Sequence, residues 1–131
     1  MRYILILFTL IILSGTPSAD ASYVAGQEAY RIKDYPTALR EYTRDNSPRA
    51  WYMVGLMHEN GEGVEKSAKE AAVWYLKAAE AGVASAQYRL GRLFETGAGV
   101  PQDRKEAVKW YRKAAEQNLG LAKYALKKLE Q

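Results

Sequence analysis

Apolar residues recur along this chain at spacings of three and four, the signature of helices with one buried face. Ala86, Leu90, Leu93 and Phe94 form one such stripe, and Ala107, Trp110, Tyr111, Ala114 and Ala115 form the next. Between them, Gly97 can take the left-handed conformation that closes a helix, and Pro101 cannot extend one. Asp103 then supplies an N-cap, with Glu106 three residues on to complete a capping box. The same pattern stands 36 residues earlier without a gap, in Ala50, Gly55, Gly61, Gly63, Val64, Ser67, Glu70, Ala71, Trp74, Tyr75, Ala78 and Ala79. The stripes and stop signals predict helices over roughly 22–33, 35–45, 48–60, 67–81, 84–96, 103–117 and 119–130.

A fixed period of this length marks a repeat architecture, in which each unit buries its apolar face only against its neighbours. The fold class expected is all-α, a right-handed α–α superhelical solenoid of antiparallel helix pairs with about seven helices. The helical part should occupy 22–131: a degenerate unit at 22–47, repeats at 48–83 and 84–119, and a capping helix at 120–131. In the degenerate unit an ungapped register sets Lys33-Asp34 against Lys69-Glu70 and Ala38-Leu39 against Trp74-Tyr75. Gly55 and Gly91 lie mid-helix, where glycine is unfavourable by about 1 kcal/mol relative to alanine, so close helix approach is expected there. Trp74 and Trp110 are the large side chains expected to fill the remaining volume.

The N-terminus departs from this pattern. Arg2 precedes the ten-residue apolar run Ile4–Leu13, and Ala19-Asp20-Ala21 puts small residues where a signal peptidase reads them. The run is half the length a spanning helix needs. Residues 1–21 therefore read as a signal peptide cleaved after Ala21, with no stable membrane insertion afterwards and a periplasmic or secreted destination; an uncleaved anchor and a buried helix are the alternative readings of the same run.

Composition narrows the chemistry. The net charge is +4, with acids and bases expected to be mixed through the repeats, and no basic stripe interleaved with stacking aromatics argues for nucleic acid. There is no cysteine and one histidine, His58, so thiolate chemistry and a histidine-built metal centre are excluded, and no cofactor is expected. The glycine pairs Gly61/Gly63 and Gly97/Gly99 end helices rather than following strands, so they read as turns and not as phosphate cradles.

These residues resemble the Sel-1-like repeat, a relative of the tetratricopeptide repeat with a longer inter-helix loop. The resemblance rests on Ala86, Leu90-Gly91, Phe94, Gly97, Gly99-Val100, Asp103, Ala107, Trp110-Tyr111 and Ala114-Ala115, and on their counterparts one period earlier. Gly26 through Tyr42 looks more like a tetratricopeptide unit. Asn118 replaces the usual glycine, and asparagine tolerates the left-handed conformation. The resemblance implies an adaptor or scaffold rather than an enzyme. The serine–lysine motif of a β-lactamase is absent, since Ser22, Ser47, Ser67 and Ser85 are followed three residues on by Ala25, Ala50, Glu70 and Tyr88.

In arrays of this kind the first helix of each pair lines a concave surface. By phase, that surface should present Tyr23, Tyr30, Arg49, Tyr52, Glu59, Tyr88, Arg92, Glu95 and Tyr124 to a protein or peptide partner. Tyr52, Tyr88 and Tyr124 recur at the repeat spacing, and tyrosine and arginine are enriched in binding hot spots. Packing of these rings between neighbouring helices is the competing role. The alternative functions are an inhibitor or immunity-type protein and, after it, an envelope hydrolase or cell-wall-binding protein.

Overall fold

The computed structural model describes residues 18–131. The expected signal segment therefore lies outside the described residues except for its last few. Among the described residues seven helices follow one another: α1 (Ala19–Arg31), α2 (Tyr35–Asp45), α3 (Pro48–Asn60), α4 (Ala68–Glu80), α5 (Ala84–Thr96), α6 (Arg104–Glu116) and α7 (Gly120–Glu130). There is no strand among the described residues. Each helix packs on the one before and the one after, most extensively within the pairs α1/α2, α3/α4 and α5/α6. The chain is a helical solenoid, as the period requires.

The helix starts follow the sequence closely. Ser67 Oγ and Asp103 Oδ1 accept from the backbone N–H of Glu70 and Glu106, each at 3.1 Å. The capping box forms only this half. The backbone N–H of Ser67 donates to the His58 carbonyl and that of Asp103 to the Phe94 carbonyl, both at 2.9 Å. The glutamate side chains therefore have no donor to reach back to, and the long loop is instead tied to the end of the helix it leaves. Asp34 caps α2 and Ser47 caps α3 in the same manner. Asn46 and Asn118 take φ of 53° and 69°, so asparagine does serve the left-handed position before the next helix.

The packing assigns the large residues differently from the sequence. Trp110 is buried, but Trp74 is only half-buried, and the fully buried aromatic rings are Tyr42, Tyr75 and Tyr111. Each ring lies against the glycine of the preceding helix. A β-carbon on Gly26, Gly55 or Gly91 would stand 2.8, 2.7 and 2.7 Å from ring atoms of Tyr42, Tyr75 and Tyr111. This corrects the register of the first unit. Its cap, Asp34, aligns with Ser67 and Asp103, and Tyr42 rather than Leu39 takes the place of Tyr75. The ungapped alignment fails because the α1–α2 connection spans only 32–34, whereas the α3–α4 connection spans 61–67. In the true register Asp45 falls where Ala78 and Ala114 lie, and it is buried there, accepting from the backbone N–H of Ser47 at 3.2 Å.

Among the described residues the core holds two clusters, with buried Ala107, Tyr111, Ala114 and Ala122 beyond them. One gathers Ala38, Tyr42, Ala50, Val54 and Met57, with Ala29 at its edge. The other gathers Ala71, Tyr75, Ala78, Ala86, Leu90, Leu93 and Trp110. Half-buried Trp74 packs on the first and half-buried Trp51 on the second, so the tryptophans join neighbouring units.

Candidate protein-binding face

The face built by the first helices α1, α3, α5 and α7 carries the tyrosine row expected from the period. Tyr52 of α3 leans on Tyr75 with ring centroids 5.9 Å apart and an interplanar angle of 33°. Tyr88 of α5 leans on Tyr111 at 5.7 Å and 38°. Tyr23 of α1 meets Tyr42 at 5.5 Å and 54°. All three are half-buried, so they pack on the core and still present surface. Tyr124 occupies the same phase on α7 but pairs with no ring among the described residues and is 72% exposed.

The glutamates of this face are held internally. The Tyr75 hydroxyl donates to Glu59 Oε2, and the Arg89 guanidinium reaches the same oxygen at 3.4 Å. Three helices, α3, α4 and α5, meet at that carboxylate. The Tyr111 hydroxyl donates to Glu95 in the next repeat, but position 125, one period after Arg89, is alanine. Burial followed by the bond to the carboxylate drives both tyrosine pKa values far above the usual phenol value. Burial is the largest single influence on Arg89 and opposes its charge, but Glu59, Tyr75 and Tyr52 together outweigh it and the guanidinium pKa is raised. Tyr30 stands one unit earlier in the Glu59 position. Its hydroxyl donates to Glu62 Oε2 at 2.7 Å, and its ring meets Tyr35 edge-on at 5.4 Å.

The arginines differ. Arg49 lies with its guanidinium carbon 4.0 Å above the Tyr23 ring and pairs with Asp20 in the first turn of α1. The cleavage junction expected after Ala21 thus falls within that turn, and processing there would remove Asp20 from Arg49. Arg92 is exposed and forms no ion pair among the described residues. Its charge acts on the Tyr111 hydroxyl nearby. Of the nine residues expected at the face, Tyr52 and Tyr88 are half-buried and Arg92 is exposed one turn beyond Tyr88 on α5, while Glu59 and Glu95 serve as internal acceptors. Arg89 was not legible because Met53 and Ala125 occupy its place in the neighbouring units, so no repeat signal marks it.

Among the described residues no group of three histidine, cysteine, aspartate or glutamate side chains could hold a metal ion, and no helix is long and apolar enough to cross a membrane.

The Sel1 repeat family model matches residues 48–83 and 84–119, the two units delimited above. The chain belongs to the Sel1 repeat family. A Sel1 repeat protein from Oxalobacter formigenes is 43% identical over 82% of this chain and 45% of its own, with a TM-score of 0.79. A protective antigen present in uropathogenic Escherichia coli strains, described as displaying an SLR fold, is 35% identical over 81% of this chain and 24% of its own, with a TM-score of 0.78. This chain thus spans less than half the length of either. The cysteine-rich protein B of Helicobacter pylori is 22% identical, covers 82% of this chain and 94% of its own, and shares the fold with a TM-score of 0.65. No curated protein matches the chain. Sel1 repeats generally serve as protein–protein interaction modules.

Proposed function

We propose that this Sel1 repeat protein is an exported adaptor that binds a protein partner on the face formed by α3 and α5, centred on Tyr52, Tyr88 and Arg92. The observation that carries the reading is the combination on one face of two tyrosines braced from behind by buried rings and one exposed arginine without an ion-pair partner among the described residues. Bracing matters because a ring already held in place loses little conformational freedom on binding, which is one reason tyrosine is enriched in hot spots. Tyr23, Tyr30 and Arg49 extend the face toward α1, and Tyr124 extends it toward α7. Glu59 and Glu95 act from beneath by holding Tyr75 and Tyr111, on which the exposed rings rest. Export is supported by the apolar run Ile4–Leu13 and by the likeness to a protective antigen.

The test is crosslinking capture from the native envelope fraction, comparing the wild type with a Tyr52→Ala/Tyr88→Ala/Arg92→Glu variant shown by circular dichroism to be folded. One protein enriched by the wild type and lost with the variant supports the reading. Equal capture by both sinks it. Should the triple variant unfold, Arg92→Glu alone leaves the packing intact and answers the same question.

A further inference from the structure

The charges of this chain are not mixed evenly. Residues 104–131 hold eight basic and three acidic side chains, a net +5. Residues 18–103 hold ten basic and twelve acidic, a net −2. The positive charge sits on α6 and α7, at one end of the helix array.

Comparison of equivalent positions shows what the charge replaces. In α4, Lys69, Ala72, Val73 and Leu76 line a largely apolar groove of about 250 Å³ together with Leu90, Phe94 and Val100 of the next repeat. One period later Lys69 recurs as Lys105, but the other three α4 positions are Val108, Lys109 and Arg112, and the corresponding cleft of about 510 Å³ is lined by these four with Arg104. On α7, Lys127 stands where Gly55 and Gly91 receive a tyrosine ring. Beside these cations α7 exposes Leu121, 60% accessible, and Tyr124.

The two arginines of this end are engaged within the molecule. Arg104 donates to the Leu129 carbonyl, and Arg112 pairs with Glu130 at 3.6 Å. Lys105, Lys127 and Lys128 form no ion pair or side-chain hydrogen bond among the described residues. The available cations are thus lysines, point charges on flexible stems, and not the planar forks that grip a particular carboxylate. Dispersed lysines together with a protruding leucine match a surface of anionic headgroups, where cations gather near the charged plane and small apolar groups reach the acyl boundary.

We propose that the α6–α7 end is a peripheral docking surface for an anionic lipid leaflet, leaving the α3/α5 face turned toward a protein partner. The contact is electrostatic with a shallow apolar component and involves no spanning element.

The test is cosedimentation of the full chain with vesicles of phosphatidylcholine alone and of phosphatidylcholine mixed with phosphatidylglycerol. Every variant carries the same N-terminal apolar run, so the comparison between lipid compositions and between variants isolates α6 and α7. The wild type should prefer the anionic vesicles, and the preference should weaken as salt is raised. Lys105→Gln/Lys127→Gln/Lys128→Gln should lower binding to anionic vesicles by roughly a hundredfold, since each lysine near an anionic surface contributes about fivefold. Binding to neutral vesicles should not change. Leu121→Ser should weaken anionic binding severalfold at unchanged charge. All four positions are exposed, and circular dichroism verifies the fold. Equal binding to both vesicle types, or a triple variant that binds like the wild type, overturns the proposal. Binding of polyglutamate without binding of anionic vesicles also overturns it, and would assign the end to an acidic protein.

Discussion

The Tyr111 ring presses so closely on Gly91 that a β-carbon on that glycine would lie 2.7 Å from Cδ1 and Cε1. In an isolated helix Gly91→Ala would be favourable by about 1 kcal/mol, because alanine restricts the unfolded chain and suits the helix. Here the methyl group meets a fully buried ring that has no room to retreat. Overpacking of this kind costs about 1–3 kcal/mol, so the expected outcome is a loss of stability despite the better propensity. Urea unfolding of Gly91→Ala should show the midpoint falling. In the Tyr111→Leu background, where the ring is gone, the same substitution should cost less or stabilise. A similar fall in both backgrounds would mean the close approach is not what selects glycine.

The hydroxyls of the three buried tyrosines make a second, sharper comparison. Tyr75 donates to Glu59, whereas the Tyr42 hydroxyl is buried with no partner among the described residues. Removing a hydrogen-bond donor to a charged acceptor costs about 1.5–3 kcal/mol, while removing an unpaired buried hydroxyl relieves a desolvation cost. Tyr75→Phe should therefore destabilise the protein, and Tyr42→Phe should be neutral or stabilising. Thermal unfolding of the two variants reads this directly. An equal loss in both would mean that the Glu59 contact contributes nothing beyond what any buried hydroxyl does.

Helix number, the repeat period and most helix ends were legible in the sequence, because each is a local property; α1 is the exception, running over Ala19–Arg31 rather than 22–33. The apolar stripes, Ser67, Asp103, the glycines and the proline act within a turn or two of where they stand. Which of two adjacent aromatic residues enters the core was not legible. Trp74 and Tyr75 differ by one position, or about 100° around the helix, and only the partner glycine on α3 settles the choice. The register of the first unit was misread for a related reason. A shorter α1–α2 connection moves α2 relative to α1, and a fixed period cannot report a deletion that falls between two helices. The Arg89–Glu59 contact escaped because it joins different repeats through a residue that does not recur.

Alkaline pH tests the buried tyrosines as a group. Burial, with a smaller contribution from Tyr23, pushes the Tyr42 pKa up to about 12, and burial plus the carboxylate bond raises Tyr75 and Tyr111 further. An unfolded tyrosine ionises near 10. Above that pH the unfolded chain releases protons that the folded chain retains, so the folded state loses stability as pH rises. The contribution is fully present below about 10 and declines from there toward the folded-state values. A titration of tyrosinate absorbance should show an exposed class ionising first, then a second class appearing only as the helical circular dichroism signal collapses. One smooth class, with helicity intact throughout, would contradict the burial of these hydroxyls.

The glycine loop offers the last test, because it decides how one repeat seats on the one before. Gly99 takes φ of 72°, and a β-carbon there would lie 2.3 Å from the carbonyl carbon of Ala68 at the start of α4. Gly63 meets the backbone of Tyr35 at the start of α2 in the same way, at 2.9 Å. A substitution at Gly99 therefore combines a left-handed conformation that L side chains avoid with a clash against backbone, which cannot rotate away as a side chain could. Gly120 is the internal control, since it begins α7 and nothing lies within 4 Å of its added β-carbon. Gly99→Ala should lower stability by at least about 2 kcal/mol, with the strain and the clash adding to one another. Gly120→Ala should be neutral or stabilising by up to about 1 kcal/mol. Hydrogen exchange adds a spatial readout, because a loop forced off α4 should raise exchange in the first turns of α4 and α6 while α1 and α2 stay protected. Matching stabilities for the two variants would mean that the loop moves aside at little cost, and that α4/α5 packing alone fixes the spacing between repeats.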